Sequence, residues 1–319
     1  MQSIEDGQNT WTDLTGRVRL EENGTSTRPV FGGYSVDVYA GYFTEDNKTR
    51  TKVAIKVLHI DKNQETIERA KTVLYRETAV WQTLNHPNVL RFLGLAPDLG
   101  MFGCPALISA FCGSGTVEQY LERSMGHTYI DRLSIIRGVA EGLKYLHERD
   151  IVHDDIRPTN VLMHDDGRPL LCFGCVTILE MIWIDKRPIN HVRVAGYRAP
   201  ERLMGHSPHK ASDVYAFAFT SYQIWTGKRP VRGYLMETRL RQRPYGTDHS
   251  NTEASILDEA VLGSARPEYP HPVPIGTDSI WKILELCWAH DPCRRLDAAS
   301  VVQNLDDISL PRQRLLSSS

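Results

Sequence analysis

A lysine lies in the middle of an otherwise apolar segment, Val53–Leu58 (VAIKVL), and this feature restricts the fold more than any other. The segment is typical of a β-strand, in which successive side chains point to opposite faces. Lys56 therefore shares a face with Ala54 and Leu58, and both faces are apolar. We expect the strand to be covered on both sides, with Lys56 pointing into protein. A buried charge costs several kcal/mol unless it is paired.

The helix predicted after this strand carries an acidic residue in its apolar stripe. Glu77 has Val73 and Leu74 one turn before it, and Val80 and Trp81 one turn after it. One interpretation is that this carboxylate pairs with the strand lysine, whose ammonium group can also touch an anion. The other is that the lysine extends to water and the carboxylate lies at the edge of the stripe. These residues alone favour neither interpretation.

The first third of the chain is predicted to be rich in strands, and the rest to be helical. Strands are predicted at Val36–Phe43, Thr51–His59, Asn88–Gly94 and Ala106–Phe111, with a helix at Asn63–Leu84. Further helices are predicted at Asp131–Arg149, Asp213–Thr226, Thr277–Ala289 and Asp297–Asp307. The glycine-rich residues 113–115 are the natural hinge between the two regions. A polar, basic stretch at about 232–252 lacks periodicity and is interpreted as a surface insertion.

Composition excludes several classes of protein. Hydrophobic residues are 41% and charged residues 24% of the 319 residues, as in soluble globular proteins. The net charge of -2 gives no global field that favours nucleic acid or a membrane, so partners must be recognised by a local site. The first residues do not resemble a secretory signal, and no apolar run approaches the ~20 residues of a membrane span. The six cysteines are scattered, so we expect a cytoplasmic protein without a disulfide framework.

Further motifs follow in a fixed order. They are segments 53–56 (VAIK), 153–160 (HDDIRPTN), 172–174 (CFG), 199–201 (APE), 213–217 (DVYAF) and 291–295 (DPCRR). Any one of them is weak, but the ordered set resembles the lysine strand, the catalytic loop, the DFG and APE motifs and the later helix motifs of protein kinases. The resemblance covers about residues 28–308. Segment 107–112 also resembles the hinge of the tyrosine-kinase-like (TKL) group.

The resemblance implies an α+β, bilobal protein-kinase fold. A small β-rich N-lobe with helix C would occupy about 28–110, the hinge 110–115, and a larger α-helical C-lobe 116–308. Residues 1–27 would be an N-terminal extension that leads into the first strand, and residues 309–319 a flexible tail. The insertion at about 232–252 would lie within the C-lobe, where Arg295 is expected to pair with Glu201.

The resemblance also implies a site that binds ATP. Its implied contact residues are Gly33, Val38, Ala54, Lys56, Glu77, Ser109 and Cys112. Glu77 would be the helix C partner of Lys56, and Ser109 a small gatekeeper residue. In the loop that covers the phosphates only Gly33 matches the family pattern, because Phe31 and Val36 occupy the other glycine positions. The segment is therefore either a weakened phosphate loop or an ordinary strand turn.

The catalytic loop supplies the implied catalytic residues. Asp155 takes the place of the base that accepts the proton of the substrate hydroxyl, Arg157 replaces a lysine near the transferring phosphate, and Asn160 takes the place of a metal ligand. Asp154 replaces the arginine through which a phosphorylated activation segment organises the site, so control of that kind is not expected. The activation segment, residues 175–198, is unusually apolar and is expected to pack against the lobe.

Cys172 is the departure that matters most. The resemblance places it where an aspartate binds the Mg²⁺ that bridges the nucleotide phosphates. Mg²⁺ prefers hard oxygen ligands, whereas a thiol with an ordinary pKa of about 8.5 is mostly protonated and soft. Losing one anionic ligand is expected to cost about 3–5 kcal/mol, or roughly 10²–10⁴ in rate. Asp165 and Asp166 lie in a turn that is predicted to point to solvent, so neither is expected to replace it.

Two functions are compatible with these residues. The first is a degenerate, pseudokinase-like domain that binds nucleotide weakly or not at all and acts as a scaffold or allosteric partner of another protein. Cys172, Asp154 and the glycine-poor loop favour it. The second is an active Ser/Thr kinase that transfers the γ-phosphate of ATP to protein hydroxyls with Mg²⁺ or Mn²⁺. Lys56 and Asp155 favour it, and neither function requires nucleic acid or a membrane.

Overall fold

The apolar strand that carries Lys56 is a central strand of an antiparallel sheet with six strands. The computed structural model describes residues 11–21, 28–32, 36–45, 49–124, 131–173, 196–230 and 277–316. The sheet strands are β1 (Val18–Leu20), β2 (Phe31–Gly32), β3 (Val36–Thr44), β4 (Arg50–Leu58), β5 (Phe92–Met101) and β6 (Cys104–Ala110). Their order is β1-β3-β4-β6-β5, and β2 pairs with the end of β3.

The two faces of β4 have different surroundings. Val53 and Ile55 are fully buried in a cluster that includes Leu14 and Val18 from the N-terminal segment. The opposite face carries Lys56, which is half-buried. Alternation along the strand was therefore predicted correctly, while the lysine is less buried than the sequence suggested.

One helix, α1 (Gln64–Trp81), packs against β5 and β6. It begins where the Asn63 side chain accepts a hydrogen bond from the Thr66 N–H (3.1 Å). Its buried residues are Ile67, Ala70, Val73, Leu74, Thr78 and Trp81. Val80 is 40% exposed, so the prediction that it belongs to the apolar stripe was wrong. At about 100° per residue Val80 falls just outside the arc defined by the buried residues, whereas Glu77 falls inside it, between Val73 and Ala70.

The second unit begins at Ser114, directly after Gly113, so the boundary falls within the segment predicted as the hinge. It contains a hairpin of β7 (Val161–Met163) and β8 (Pro169–Leu171). Its helices are α2 (Val117–Arg123), α3 (Arg132–His147), α4 (Pro200–Leu203), α5 (Lys210–Thr226), α6 (Thr277–Cys287) and α7 (Ala298–Leu316). Most of α5 is buried, and α3 and α6 both pack against it.

Several boundaries differ from those predicted. β5 begins at Phe92 rather than near Asn88, because the residues after His86 form a turn in which Val89 N–H donates to His86 O (3.1 Å). Helix α5 begins at Lys210 because the His209 ring accepts a hydrogen bond from the Ser212 N–H (3.2 Å). Helix α7 continues to Leu316, into the segment predicted as a tail.

Some predictions concern residues outside the described ranges. They are Gly33, the insertion at 232–252 and the activation segment up to residue 195. Across the ranges that the structure does describe, none of the helices has the length and apolar character needed to cross a bilayer.

Candidate active site

Four of the residues predicted to contact nucleotide share one face of the sheet. Val38 on β3 lies directly opposite Lys56 on β4, and Ala54 lies opposite Ser109 on β6. Ala54 precedes Lys56 by two residues, so all four side chains point to the same side. All four are half-buried. The strand register therefore brings together residues that are up to 71 positions apart in the sequence.

The other predicted nucleotide contacts are less well defined. Glu77 and Cys112 are both half-buried, and they belong to the same unit as the sheet. On α1, Glu77 lies within the arc of the buried residues, between Val73 and Ala70. The Lys56–Glu77 ion pair stays a prediction, and Gly33 lies outside the described residues.

In the second unit, a hairpin brings Asn160 and Cys172 together. Val161, the first residue of β7, pairs with Leu171, the last residue of β8. Asn160 and Cys172 are the adjacent positions, and the Cys172 N–H donates to Asn160 O (3.0 Å). His153 connects to the same point, since its Nε2 lies 3.1 Å from Cys172 O. Local sequence alone therefore places the predicted amide ligand opposite the substituted cysteine.

Asp155 is a buried carboxylate, 4% exposed, with two side-chain neighbours from its own loop. Asn160 Nδ2 donates to the backbone oxygen of Asp155 (2.8 Å) and to its Oδ2. Arg157 Nε lies 3.0 Å from Asp155 Oδ1, so the charges attract. The geometry of this contact does not make a hydrogen bond, and within the described part of the chain Oδ1 has no donor. The structure thus brings the three predicted catalytic residues together.

Asp213 organises this loop, and its role was not predicted from sequence. Its Oδ2 accepts the His153 N–H (2.8 Å) and its Oδ1 accepts the Asp154 N–H (2.9 Å). The ring of His147 lies against the same carboxylate, with Nε2 2.9 Å from Oδ2. The sequence signal was the start of the DVYAF motif, which had been interpreted only as the beginning of a helix.

Asp154 makes a second contact that was not predicted. Arg202 Nε donates to Asp154 Oδ1 (2.8 Å) and Arg202 Nη2 donates to Oδ2 (2.7 Å), which is a bidentate ion pair. Burial raises the pKa of Asp154, and Arg202 only partly offsets this effect. The sequence signal was the acidic residue itself, because an acid in place of an arginine requires a cation elsewhere.

Comparison with known proteins identifies the family. Residues 27–305 match the model of the protein tyrosine and serine/threonine kinase family. The chain belongs to this family. The sheet unit and the helical unit are the small and large parts of its bilobal α+β fold, as predicted.

Three relatives illustrate the similarity. A probable receptor-like serine/threonine-protein kinase of Arabidopsis thaliana is 32% identical over 219 residues, 67% of this chain and 36% of the relative. Dual specificity testis-specific protein kinase 1 of Rattus norvegicus is 30% identical over 288 residues, 86% of this chain and 44% of the relative. Seven transmembrane domain-containing tyrosine-protein kinase 1 of Dictyostelium discoideum is 25% identical over 284 residues, 83% of this chain and 37% of the relative. The chain spans less than half of each relative.

Kinase family membership implies ATP and Mg²⁺ binding in general. Whether Mg²⁺ suits this chain can be judged from the donor atoms at the hairpin. The Asn160 amide nitrogen is committed to Asp155, which leaves the amide oxygen for a ligand. Its neighbour Cys172 is 6% exposed and offers sulfur instead of a carboxylate. Over the described ranges, no group of three or more His, Cys, Asp or Glu side chains is placed to hold a metal ion. This donor set does not fit Mg²⁺, which prefers several oxygen ligands.

The two aspartates of the nearby turn do not supply a carboxylate ligand beside Asn160. Asp165 and Asp166 are exposed in the β7–β8 turn, as predicted. Arg168 Nε donates to Asp166 (2.6 Å). Desolvation raises the pKa of Asp166, but the hydrogen bonds from Arg168 and His164 together outweigh it and lower the pKa to about 2. The charged side chains of this turn therefore contact one another at the surface.

Proposed function

We propose that this chain is a kinase-fold protein in which phosphoryl transfer is weak or absent, and that it acts as a scaffold or allosteric partner of another protein. The observation that carries the proposal is the position of Cys172 opposite Asn160 at the end of the hairpin. A buried thiol there offers no hard anionic ligand to a metal that must bridge phosphates. The TKL-like, degenerate character expected from the sequence belongs to this proposal.

The nearby carboxylates support the proposal because each is engaged elsewhere. Asp154 is bound by Arg202, and Asp155 by Asn160. Asp213 accepts the backbone N–H groups of the catalytic loop. Recruiting Asp154 or Asp213 to a metal would break contacts that already satisfy a buried or half-buried acid.

Nucleotide binding without metal is part of the proposal. Val38, Ala54, Lys56 and Ser109 form one half-buried sheet face that suits an adenine nucleotide, and Lys56 supplies a cation for its phosphates. Binding is expected to be weak because Phe31 and Val36 occupy two of the three glycine positions that let backbone amides approach phosphates. The cytoplasmic location expected from the sequence stays a prediction.

One observation favours a second candidate, an active Ser/Thr protein kinase. Asp155 Oδ1 is buried and lacks a donor among the described residues. Such an oxygen costs about 1–3 kcal/mol unless a donor arrives, and a substrate hydroxyl is a donor of the required kind. In this candidate Asp155 would orient the hydroxyl and Arg157 would face the transferred phosphate.

Transfer of labelled γ-phosphate decides between the two candidates. The native chain, Asp155→Asn and the control Asp166→Asn would be incubated with a generic basic protein acceptor, in Mg²⁺ and in Mn²⁺. Asp166→Asn removes an acid of equal charge from the exposed turn and leaves the loop intact. Incorporation in the native chain and the control that disappears in Asp155→Asn would establish a kinase and refute the proposal. Native incorporation no higher than that of Asp155→Asn supports the proposal.

A further inference from the structure

The backbone of Asp154 has a conformation that non-glycine residues rarely adopt. Its φ is 57°, in the left-handed region. Such residues persist only where the surroundings fix them strongly. Here the Asp154 N–H donates to Asp213 Oδ1 (2.9 Å), and the preceding N–H, of His153, donates to Oδ2 (2.8 Å). These two hydrogen bonds hold the backbone N–H groups of the turn that leads into Asp155.

The side chain of Asp154 is held by a second residue, Arg202. Arg202 binds both carboxylate oxygens, at 2.8 and 2.7 Å, and the two side chains are only 12% (Arg202) and 17% (Asp154) exposed. Arg202 belongs to the short helix α4 and follows Glu201, which Arg295 holds through two bonds of 2.6 and 2.9 Å. Arg202 is therefore mounted on a rigid element, and its planar guanidinium fixes direction as well as distance.

We propose that Arg202 is a positioning residue for the catalytic loop: by gripping the Asp154 carboxylate it holds this strained turn closed and so fixes the orientation of Asp155. Arg202 itself need not touch a substrate or a nucleotide. The proposal goes beyond the proposed function, because the loop would be held in the same way in a scaffold and in a kinase.

The proposal predicts that the stability lost on removing Arg202 depends on pH. Burial raises the pKa of Asp154, Arg202 and then Arg198 lower it, and Asp213 raises it. In Arg202→Gln the main opposing cation is lost, so the folded-state pKa rises further above its unfolded value. A raised carboxylate pKa means that its contribution to stability is fully present below the unfolded value of 3.8 and is lost as pH rises through the folded value. The stability deficit of this variant is therefore expected to grow as the pH rises from about 4 to 8.

The experiment compares the native chain with Arg202→Gln, Asp154→Asn/Arg202→Gln and the control Arg137→Gln. The double variant removes the uncompensated carboxylate, and Asn tolerates a positive φ, so it is expected to fold. Arg137 pairs with Asp306 between α3 and α7, another partly buried Arg–Asp contact but one outside the catalytic loop. Amide hydrogen exchange of residues 151–157 and melting temperatures at about pH 4 and at pH 8 would be measured for all four proteins.

In Arg202→Gln the loop amides are expected to exchange at least tenfold faster. The drop in melting temperature relative to the native chain is expected to be larger at pH 8 than at about pH 4. The double variant is expected to regain the melting temperature lost at pH 8, while its loop amides still exchange faster than in the native chain. This result would separate an effect on loop position from an effect on global stability. Arg137→Gln is expected to keep the native loop rate. Native-rate exchange in both Arg202 variants would overturn the proposal, and so would an equal increase in Arg137→Gln.

Discussion

Arg295 grips Glu201 through two hydrogen bonds, of 2.6 and 2.9 Å, although 94 residues separate them. The same guanidinium donates to the backbone oxygens of Ala211, Ala289 and His290. The Arg295 side chain is fully buried and that of Glu201 is 6% exposed. One side chain therefore connects α4, the start of α5 and the segment before α7, and the pairing predicted from the sequence is confirmed.

Removing this arginine should destabilise the second unit severely. Arg295→Gln leaves a buried carboxylate without its partner, and we expect a loss of about 3–5 kcal/mol in the free energy of unfolding. Denaturant unfolding would measure this loss. The exposed pair Arg168–Asp166 provides the control, since Arg168→Gln should cost at most about 1 kcal/mol. Similar losses in the two variants would contradict the interpretation of a buried anchor.

The same ion pair should make the fold sensitive to acid. Burial raises the pKa of Glu201, but the hydrogen bonds and charge of Arg295 outweigh it, so the pKa lies below its ordinary value of 4.5. The stabilisation is therefore fully present above pH 4.5 and is lost as pH falls through the lower, folded-state value. Melting curves from pH 6 to pH 3 should converge for the native chain and Glu201→Gln. A constant gap between them would contradict this linkage.

Restoring the acidic residue at the hairpin should increase transfer. Cys172→Asp is expected to raise phosphate incorporation with Mg²⁺ by roughly 10²–10⁴, because it adds a hard anionic ligand beside Asn160. Without metal the new charge lies buried, so Mg²⁺ should also raise the melting temperature of this variant. Cys172→Asn matches the size without the charge and should change neither quantity. If Cys172→Asp behaves like Cys172→Asn, the cysteine is not the defect.

Lys56 should be required for any binding of ATP in the absence of metal. With a chelator present, ATP is expected to raise the melting temperature of the native chain, and Lys56→Ala should abolish the shift. Lys52→Ala is the matched control, because Lys52 lies on the same strand but pairs with Glu21 at the surface (3.2 Å). Equal shifts in native chain and Lys56→Ala would exclude contact between Lys56 and the phosphates.

The N-terminal segment should hold helix α1 in place. Trp11 stacks on Tyr75 with ring centroids 5.3 Å apart, and the Thr12 N–H donates to Gln82 Oε1 (3.1 Å). Trp11→Ala should cost about 0.5–1.5 kcal/mol beyond the lost apolar contact and speed amide exchange in α1. Tyr75→Phe keeps the stacked ring and should behave like the native chain. Unchanged exchange in Trp11→Ala would show that the stack does not support the helix.

Sequence reasoning succeeded where function depends on local pattern. Period-two alternation placed Lys56 correctly on its strand, and the turn residues Asp165 and Asp166 are exposed as predicted. The pairing that puts Asn160 beside Cys172 was not predicted. The motif order gave the fold class without a structure. It also gave the Arg295–Glu201 pair, because both residues belong to recognisable motifs.

Sequence reasoning failed where the partner lies in a distant segment and no pattern in the sequence shows the pairing. Arg202 lies 48 residues from Asp154, and only the folded chain brings them together. Val80 illustrates a smaller error, since a helical stripe has an edge that spacing alone does not locate. In the same way, Asp213 was noticed as a helix start although its side chain binds backbone N–H groups that precede it by up to 60 positions.

The segment before β2 has a practical consequence for choosing fragments of this protein. The family match begins at residue 27, yet Leu14 is 1% exposed, and β1 and the Asp13–Leu95 bridge are also earlier in the chain. A fragment expressed from residue 27 would uncover Val53 and Ile55 and leave one edge of the sheet unpaired. An unpaired strand edge of this kind promotes aggregation. The start of the family match and the start of the folding unit thus differ, and fragments that begin before Trp11 should be the soluble ones.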